Sequence, residues 1–223
     1  MSTSTSVEKA LQILTCFTTQ DIDMSLAELH DRIKISKPSL HRLCNTLCDN
    51  GFLTKNPVTG RYRLGIKMLE TAGIYIAGNN AYHSVWQVLN SIMEISGETI
   101  SLYIREDDFR KCLMRIECNS PLRHTVTIGQ TLPLDKGAAG KTILAHSDDG
   151  HCDIKDVGYA ITYGEREAYL GAIAVPVFDE NNQLFGALSI SGPIDRIREK
   201  VSDELIEQLK SHAKSLTNLV NHL

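Results

Sequence analysis

The chain has 223 residues and a formal net charge of −4, which allows one large domain or two small ones and argues weakly against nucleic-acid binding by the whole chain. No apolar run approaches the roughly 20 residues of a membrane-spanning helix, and the polar N-terminus lacks the apolar core of a signal peptide. The six cysteines occur singly, which is typical of reduced, mostly buried thiols in a cytoplasmic protein and offers no spacing that fits a zinc site.

The spacing of apolar residues predicts two short helices near the N-terminus. The first covers residues 6–17, with Ser6 as its N-cap, and a polar stretch over residues 18–24 follows it. The second helix begins after Ser25. Glu28 lies three residues further on, which fits a capping box.

A third helix is predicted over residues 37–49, after a turn at Lys34-Ile35. Ser36 is its expected N-cap, and Pro38 suits a first turn in which an N–H group has no intrahelical partner. The polar face carries side chains that hydrogen-bond base edges or phosphates, namely Ser36, Lys37, Ser39, His41, Arg42, Asn45 and Thr46. Seen alone, this pattern also fits an ordinary amphipathic surface helix.

Residues 52–55 and 61–64 are predicted as strands joined by a turn, which makes a hairpin. Its basic side chains are Lys55, Arg61 and Arg63. A helix-turn-helix followed by a basic hairpin is a winged helix-turn-helix. Residues 1–80 hold nine Lys and Arg against seven Asp and Glu, whereas the rest of the chain holds fourteen against twenty. We therefore predict that residues 1–65 form a domain that binds double-stranded DNA.

The first 80 residues resemble the IclR family of bacterial transcriptional regulators. The resemblance rests on five motifs in order, which are SVEKAL from Ser6, SLAEL from Ser25, HRLCNTL from His41, Gly51-Phe52 and Tyr62-Arg63-Leu64-Gly65. The chain departs from the family at Pro38-Ser39, where Ser-Thr is usual, and at Lys34, where a turn glycine is usual. The resemblance implies that helix 37–49 enters the major groove while hairpin 53–64 meets the adjacent backbone or minor groove.

Residues 66–80 suit a linker helix, which in the resembling family helps to pair two protomers. Residues 81–96 form a clearer amphipathic helix. The apolar period then changes to two and predicts strands at residues 99–104, 111–117, 123–128, 172–178 and 184–190. Residues 129–134 read as a loop. Helices are expected over residues 137–146 and 202–223, and the apolar stripe of the last fits packing on a sheet better than a coiled coil.

The body, residues 81–223, is therefore expected to be α+β, an antiparallel sheet with flanking helices. It is similar to the GAF-like effector domain of the same family through GETISLYI, AAGKTILA, GYA, AVPVFD and ALSISGP. An acidic residue of the family's pocket falls near Thr162, where this chain has no carboxylate. The segment 147–157 has only eleven residues, where the family usually has a longer helical segment. Within it, residues 147–150 are predicted to form a loop. We expect no room for those helices and a pocket that is more open, differently liganded or vestigial.

Gly137 and Ala138 begin the short helix of the body, where free N–H groups and the positive end of the helix dipole favour a carboxylate or phosphate. Ser189 and Ser191 lie two apart on a strand, so both hydroxyls point to one face and can bind one small anion. The resemblance implies these four positions and Ala172 as contacts of a small organic or aromatic acid. The alternatives are a glycine-started helix without a ligand and mildly polar strand residues.

The motif GAAGKT over residues 137–142 invites a phosphate-loop interpretation, but that loop needs a glycine at position 135, which is Asp135. The eight histidines form no metal or nucleophile motif, so we expect no catalytic residue, metal or cofactor, and an enzyme is the weakest hypothesis.

The sequence predicts a DNA-binding transcriptional regulator, expected to be a repressor. Its expected partners are a DNA operator, a small-molecule effector and further copies of the chain in a homodimer or homotetramer, with no membrane partner. The alternative is a regulator whose shortened body is only an oligomerisation or protein-partner module and binds no metabolite.

Overall fold

The computed structural model describes residues 4–120, 126–147 and 152–223 of the chain. Contacts divide the chain into two units, Met1–Gly78, here called the head, and Asn79–Leu223, here called the body. None of the helices within the described ranges combines the length and hydropathy that a bilayer crossing requires.

From residue 4 onward, the head combines four helices with a small antiparallel sheet. The helices are α1 (Thr5–Thr15), α2 (Leu26–Ile33), α3 (Lys37–Asp49) and α4 (Ile66–Gly78). The strands are β1 (Asp23–Met24), β2 (Leu53–Lys55) and β3 (Tyr62–Leu64), in the order β1-β3-β2. The predicted hairpin is therefore present as β2 and β3. β1 was not predicted, because two polar-flanked residues show no periodicity and pair with β3 only through the tertiary fold.

Local signals set the ends of the head helices. Ser25 and Glu28 form the predicted capping box, since the Ser25 hydroxyl accepts from the Glu28 N–H at 3.2 Å and the Glu28 carboxylate accepts from the Ser25 N–H at 2.6 Å. Lys34 adopts the left-handed conformation with φ 60° and donates its N–H to the His30 carbonyl at 2.8 Å, which ends α2. The expectation that Ser6 caps α1 is wrong, because the helix begins at Thr5 and Ser4 holds the N-cap position.

Apolar side chains from the head helices and sheet meet in one core. Its buried members are Ile13, Met24, Leu29, Ile35, Leu40, Cys44, Leu47, Leu53 and Tyr62. α3 contributes three of them at helical spacing, so its polar face points away from the core. This packing orients the predicted reading face of α3 toward solvent.

The body is a six-stranded antiparallel sheet with helices on both faces. The strands are β4 (Thr99–Glu106), β5 (Phe109–Ile116), β6 (Thr131–Pro133), β7 (Ala160–Tyr163), β8 (Leu170–Phe178) and β9 (Leu184–Pro193), in the order β6-β5-β4-β9-β8-β7. The helices are α5 (Asn80–Ser96), α6 (Ala138–His146), α7 (Cys152–Val157), α8 (Ile194–Lys200) and α9 (Asp203–Ser215), followed by a 3-10 helix, Val220–His222. The expected α+β architecture is confirmed.

The two faces of the body sheet carry different cores. α5 and α9 cover one face and form an aliphatic core that includes Leu89, Ile190 and Leu209. α6 covers the other face, where smaller side chains such as Ala174 and Ala187 leave room for polar groups. Helices lie on both faces of β8, so it is buried at consecutive positions rather than at alternate ones.

Two strand and loop expectations for the body are wrong. Residues 126–128 are not in a strand, and the remainder of that predicted strand, residues 123–125, lies outside the described residues. Residues 129–134 are not only a loop, since β6 lies within them and pairs with β5. β6 is three residues long at the sheet edge, which is too short to show a period in the sequence.

Three helix expectations for the body also need correction. The segment from 147 to 157 holds α7, a short helix where none was predicted, although residues 148–151 lie outside the described part of the chain. α8 follows β9 directly and was missed, because seven residues give too little periodicity. The last helix ends at Ser215 rather than Leu223. The apolar residues beyond Ser215 lie in turns and in the 3-10 helix, and they pack against the aliphatic core from there.

Five cysteines are free thiols within the described chain, namely Cys16, Cys44, Cys48, Cys112 and Cys118. Cys44, Cys112 and Cys118 are buried. Burial raises the pKa values of the Cys44 and Cys112 thiols to about 11, so both stay protonated near neutral pH.

Candidate nucleic-acid interface and small-molecule pocket

The polar face of α3 is accessible along its length. Seven residues were predicted to contact base edges or phosphates. Ser39 is half-buried, and the other six are exposed, namely Ser36, Lys37, His41, Arg42, Asn45 and Thr46. The Asn45 amide nitrogen lies 3.4 Å from the His41 Nδ1, and the Thr46 hydroxyl donates to the Arg42 carbonyl at 3.1 Å. The helix therefore presents an amide, an imidazole and two cations on a solvent-facing surface.

Ser36 occupies the N-cap position of α3, but its side chain accepts no hydrogen bond from the helix, so its predicted capping bond is wrong. An N-cap side chain accepts from the second or third N–H of the helix, and Pro38 at the second position has no N–H. The exposed Ser36 hydroxyl is thus not engaged in capping.

The three basic side chains of the hairpin have different surroundings. Lys55 lies with its ammonium 5.2 Å from the centroid of the Tyr62 ring, and Arg63 is exposed. Arg61 instead pairs with the Asp23 carboxylate and with the Glu28 carboxylate at 2.9 Å. The Ser25 N–H and hydroxyl hold the pKa of Glu28 below its ordinary value, and Arg61 adds to this effect. Arg61 thus ties the hairpin to β1 and to the start of α2.

A pocket with a cavity volume of about 30 Å³ opens on the α6 face of the body sheet. All five predicted effector contacts line it, namely Gly137, Ala138, Ala172, Ser189 and Ser191. Ala172 lies opposite Ser191 in the β8–β9 ladder, and the two serines point to the same face as predicted. A cavity of this volume holds only two or three water molecules, because one water needs roughly 10–15 Å³.

The start of α6 was expected to offer free N–H groups, and the structure contradicts this. The Gly137 N–H donates to the Glu165 carboxylate at 3.2 Å, and the Ala138 N–H donates to the Thr162 hydroxyl at 3.0 Å. Glu165 also pairs with the Lys141 ammonium. The pocket therefore has a carboxylate after all, three residues beyond the position at which its absence was noted.

Arg110 is the most unusual group of the pocket. It is only 3% exposed, and its guanidinium carbon lies 5.4 Å from the centroid of the Tyr103 ring. One terminal nitrogen donates to the carbonyls of Pro133 and Lys136, the latter at 2.7 Å, while the buried Nε has no hydrogen-bond partner in the described part of the chain. Within the described residues the guanidinium forms no ion pair, and burial lowers the pKa of Arg110.

Close packing fixes the guanidinium of Arg110 beside α6. A Cβ atom on Gly140 would lie 2.6 Å from an Arg110 nitrogen and 2.2 Å from the Leu134 carbonyl oxygen, so only glycine fits there. Arg166 also lines the pocket. Its positive charge contributes to the lowered pKa of Arg110 after burial, the larger cause.

Sequence reasoning missed Arg110, Arg166 and Glu165. Arg110 stands two residues before Cys112 on β5, so strict alternation would have placed both on one face. Arg166 and Glu165 lie in the connection between β7 and β8, where no local pattern predicts a contact with α6. No group of three metal-ligating side chains occurs in the described ranges.

Two family domains match nearly the whole chain. Residues 6–57 match the IclR helix-turn-helix domain. Residues 74–153 and 151–218 match the bacterial transcriptional regulator IclR C-terminal domain. The DNA-binding transcriptional repressor YiaJ of Escherichia coli (strain K12) is 27% identical over 246 residues, which cover 96% of this chain and 87% of that protein.

Solved structures share the fold at low sequence identity. An IclR transcriptional regulator from Alicyclobacillus acidocaldarius matches with a TM-score of 0.82 and 22% identity, over 98% of this chain and 100% of that one. An IclR homolog from Microbacterium hydrocarbonoxydans, complexed with 4-hydroxybenzoate, matches with a TM-score of 0.77 and 18% identity, over 97% and 99% of the two chains. The matched families are transcriptional regulators rather than enzymes, which confirms the expectation for this chain.

Proposed function

Because the chain belongs to the IclR family of bacterial DNA-binding transcriptional regulators, we propose that its head binds an operator and that its body senses a small organic acid. The observation that carries the first part is the polar face of α3, which is exposed while its apolar face is buried. In this arrangement α3 lies in the major groove and the hairpin contacts the neighbouring backbone or minor groove.

The residues proposed to contact DNA from α3 are those of its polar face. Asn45 suits adenine, since its amide can donate and accept at one base edge, and Arg42 or Lys37 suits guanine or phosphate. Lys55 and Arg63 on the hairpin contact phosphate, whereas Arg61 acts by holding the hairpin in place. Repression as the outcome is supported by the related repressor YiaJ.

A homodimer or homotetramer is the proposed working form. α4 has no buried residue within the head, and its large apolar side chains Ile66, Leu69 and Ile74 are between 65% and 75% exposed. Pairing of two chains would remove this surface from water and set two heads at the spacing of operator half-sites.

The proposed effector is a small carboxylic acid bound in the body pocket. Arg110 supports this, because a buried cation without an ion pair is costly unless an anion accompanies it. Ser189 and Ser191 add two hydroxyls on the same wall. The IclR homolog in complex with 4-hydroxybenzoate is an example of an aromatic acid bound to a protein of this fold.

The second candidate function is a regulator whose body only assembles the protein. Its supporting observations are the cavity volume of about 30 Å³ and the short segment between α6 and β7. A pocket of this volume admits an organic acid only if a lining group moves.

One experiment tests both parts of the proposal. Binding of the full chain to DNA from upstream of its own gene is measured at several salt concentrations, for the wild type and for Lys37→Ala/Asn45→Ala. We expect the double variant to lose about tenfold or more in affinity, because a base contact and a phosphate contact are removed. Lys155→Ala/Asn181→Ala makes the same chemical changes at exposed positions of the body and should bind like the wild type.

The same DNA complex then serves to screen small carboxylic acids, including 4-hydroxybenzoate. An effector should change operator affinity by about 5-fold to 150-fold, and Ser189→Ala/Ser191→Ala should abolish the change. If no acid alters operator binding while the protein remains specific for its operator, the assembly-module alternative holds. Unchanged affinity of the α3 double variant would overturn the proposed docking of the head.

A further inference from the structure

The carboxylate of Glu165 takes the position that an acidic ligand would need. It accepts the Gly137 N–H at 3.2 Å and pairs with the Lys141 ammonium, so it lies at the positive end of α6. Glu165 and Gly137 belong to distant parts of the chain, and both line the pocket that also contains Ser189 and Ser191. The pocket thus holds a carboxylate supplied by the protein itself.

The buried positive charge of Arg110 favours an anion at this end of the pocket. The residue is only 3% exposed, and its Nε has no hydrogen-bond partner among the described residues. A terminal nitrogen of the guanidinium would lie 3.4 Å from a Cβ atom on Gly137, so the guanidinium and the α6 N-terminus converge. Glu165 nevertheless pairs with Lys141 and not with Arg110, so the buried cation has no ion pair with any residue that the structure describes.

Glu165 is also the lining group that can leave most easily. Its side chain is 32% exposed, and it lies in the connection between β7 and β8 rather than within a strand. Rotation of this side chain toward solvent would uncover the Gly137 N–H and the Lys141 ammonium while the sheet and α6 stay in place. The buried Arg110, in contrast, is fixed by two carbonyl bonds and by the close approach of Gly140.

We propose that Glu165 is an internal competitor for the effector, so that a ligand binds only if its own anionic group displaces the Glu165 carboxylate from the start of α6. This inference rests on the proposed sensing role of the body. The displacing group contacts the Gly137 N–H, Lys141 and the buried guanidinium of Arg110, which Glu165 does not satisfy. The pocket therefore selects acids over neutral molecules, because a neutral molecule leaves Arg110 unpaired and cannot replace the lost ion pair of Lys141.

The competition can be measured with acetate as the probe, the smallest ligand that reproduces the side-chain carboxylate. Acetate is titrated into the full-length wild type and Glu165→Ala, with chloride as the ionic-strength control, and binding is followed by the shift in melting temperature. We expect Glu165→Ala to bind acetate about tenfold or more tightly than the wild type, because no charge-assisted bond must first be broken. Glu165→Gln keeps the shape without the charge and should show a smaller increase.

Glu180→Ala is the matched control, since Glu180 is an exposed glutamate in the turn between β8 and β9. It should bind acetate like the wild type. Equal acetate affinity in Glu165→Ala and Glu180→Ala would overturn the proposal, as would a gain in Glu165→Ala that persists when Arg110→Met, which removes the positive charge, is added. If Glu165→Ala binds acetate more tightly but no acid changes operator affinity, Glu165 is a competitor and the body does not sense an acid. If an acid changes operator affinity but Glu165→Ala binds acetate no more tightly, the body senses an acid and Glu165 is not a competitor.

Discussion

Arg61 and Arg63 lie two residues apart on the hairpin of the head, yet their surroundings differ. Arg61 contacts the carboxylates of Asp23 and Glu28, and it also donates to the Asp23 carbonyl at 3.0 Å. Arg63 is exposed and forms no ion pair within the described residues. A guanidinium already neutralised by two carboxylates releases little counterion from DNA, so of the two arginines only Arg63 should act as a phosphate contact.

The salt dependence of operator binding should distinguish the two arginines. Arg63→Ala should lower the slope of log affinity against log salt by about 1, since one phosphate contact is lost. Arg61→Ala should leave the slope unchanged and instead lower the melting temperature of the head. Equal loss of slope in both variants would show that Arg61 also reaches the DNA.

At the scale of the helices, α2 and α3 both begin after a serine, but only one serine acts as a cap. The Ser25 hydroxyl accepts the Glu28 N–H, whereas the side chain of Ser36 caps no N–H group because Pro38 removes one candidate donor. The same residue type at the same position therefore caps one helix and leaves its hydroxyl without a capping role in the other.

Chemical denaturation of two single variants should reveal this difference. Ser25→Ala should lower the free energy of unfolding of the head by about 1 kcal/mol, the usual cost of removing an N-cap. Ser36→Ala should change it by only a few tenths of a kcal/mol, within the usual range for surface substitutions. A similar loss in both variants would mean that Ser36 caps α3 in solution.

At the scale of the whole molecule, the exposed apolar side chains of α4 favour contact with another copy of the chain. Every residue of α4 is exposed or half-buried, and Ile74 alone is 75% exposed. A helix whose large apolar side chains face water gains stability when another copy covers them, at roughly 25 cal/mol for each Å² of apolar area removed from water.

Sedimentation equilibrium should show that Ile74→Glu weakens self-association, because a carboxylate cannot be buried in an apolar contact without cost. Val58→Glu makes a similar change at the tip of the hairpin, where the side chain is 90% exposed, and should leave the oligomeric state unaltered. Self-association that is unaffected by Ile74→Glu would place the contact elsewhere on the chain.

Signals within short stretches predicted the fold class of both units, although β6, β7, α7 and α8 of the body were missed. α3 was predicted with its observed bounds, and the capping box of α2 and the hairpin followed from residues at most a dozen positions apart. The shared face of Ser189 and Ser191 followed from the two-residue period of a strand. These features could be predicted from the sequence because helical spacing, capping and strand alternation depend on residues close together in the chain.

The amino-acid sequence by itself determined that this chain has a winged DNA-binding head and an α+β body with small polar residues on one wall. Only the tertiary structure decided which charges remain available. Arg61 meets Asp23 38 positions away, Arg110 lies buried beside α6, and Glu165 reaches Lys141 24 positions away. Partners at such separations are chosen by how the sheets and helices pack, so no local pattern of residues indicates them.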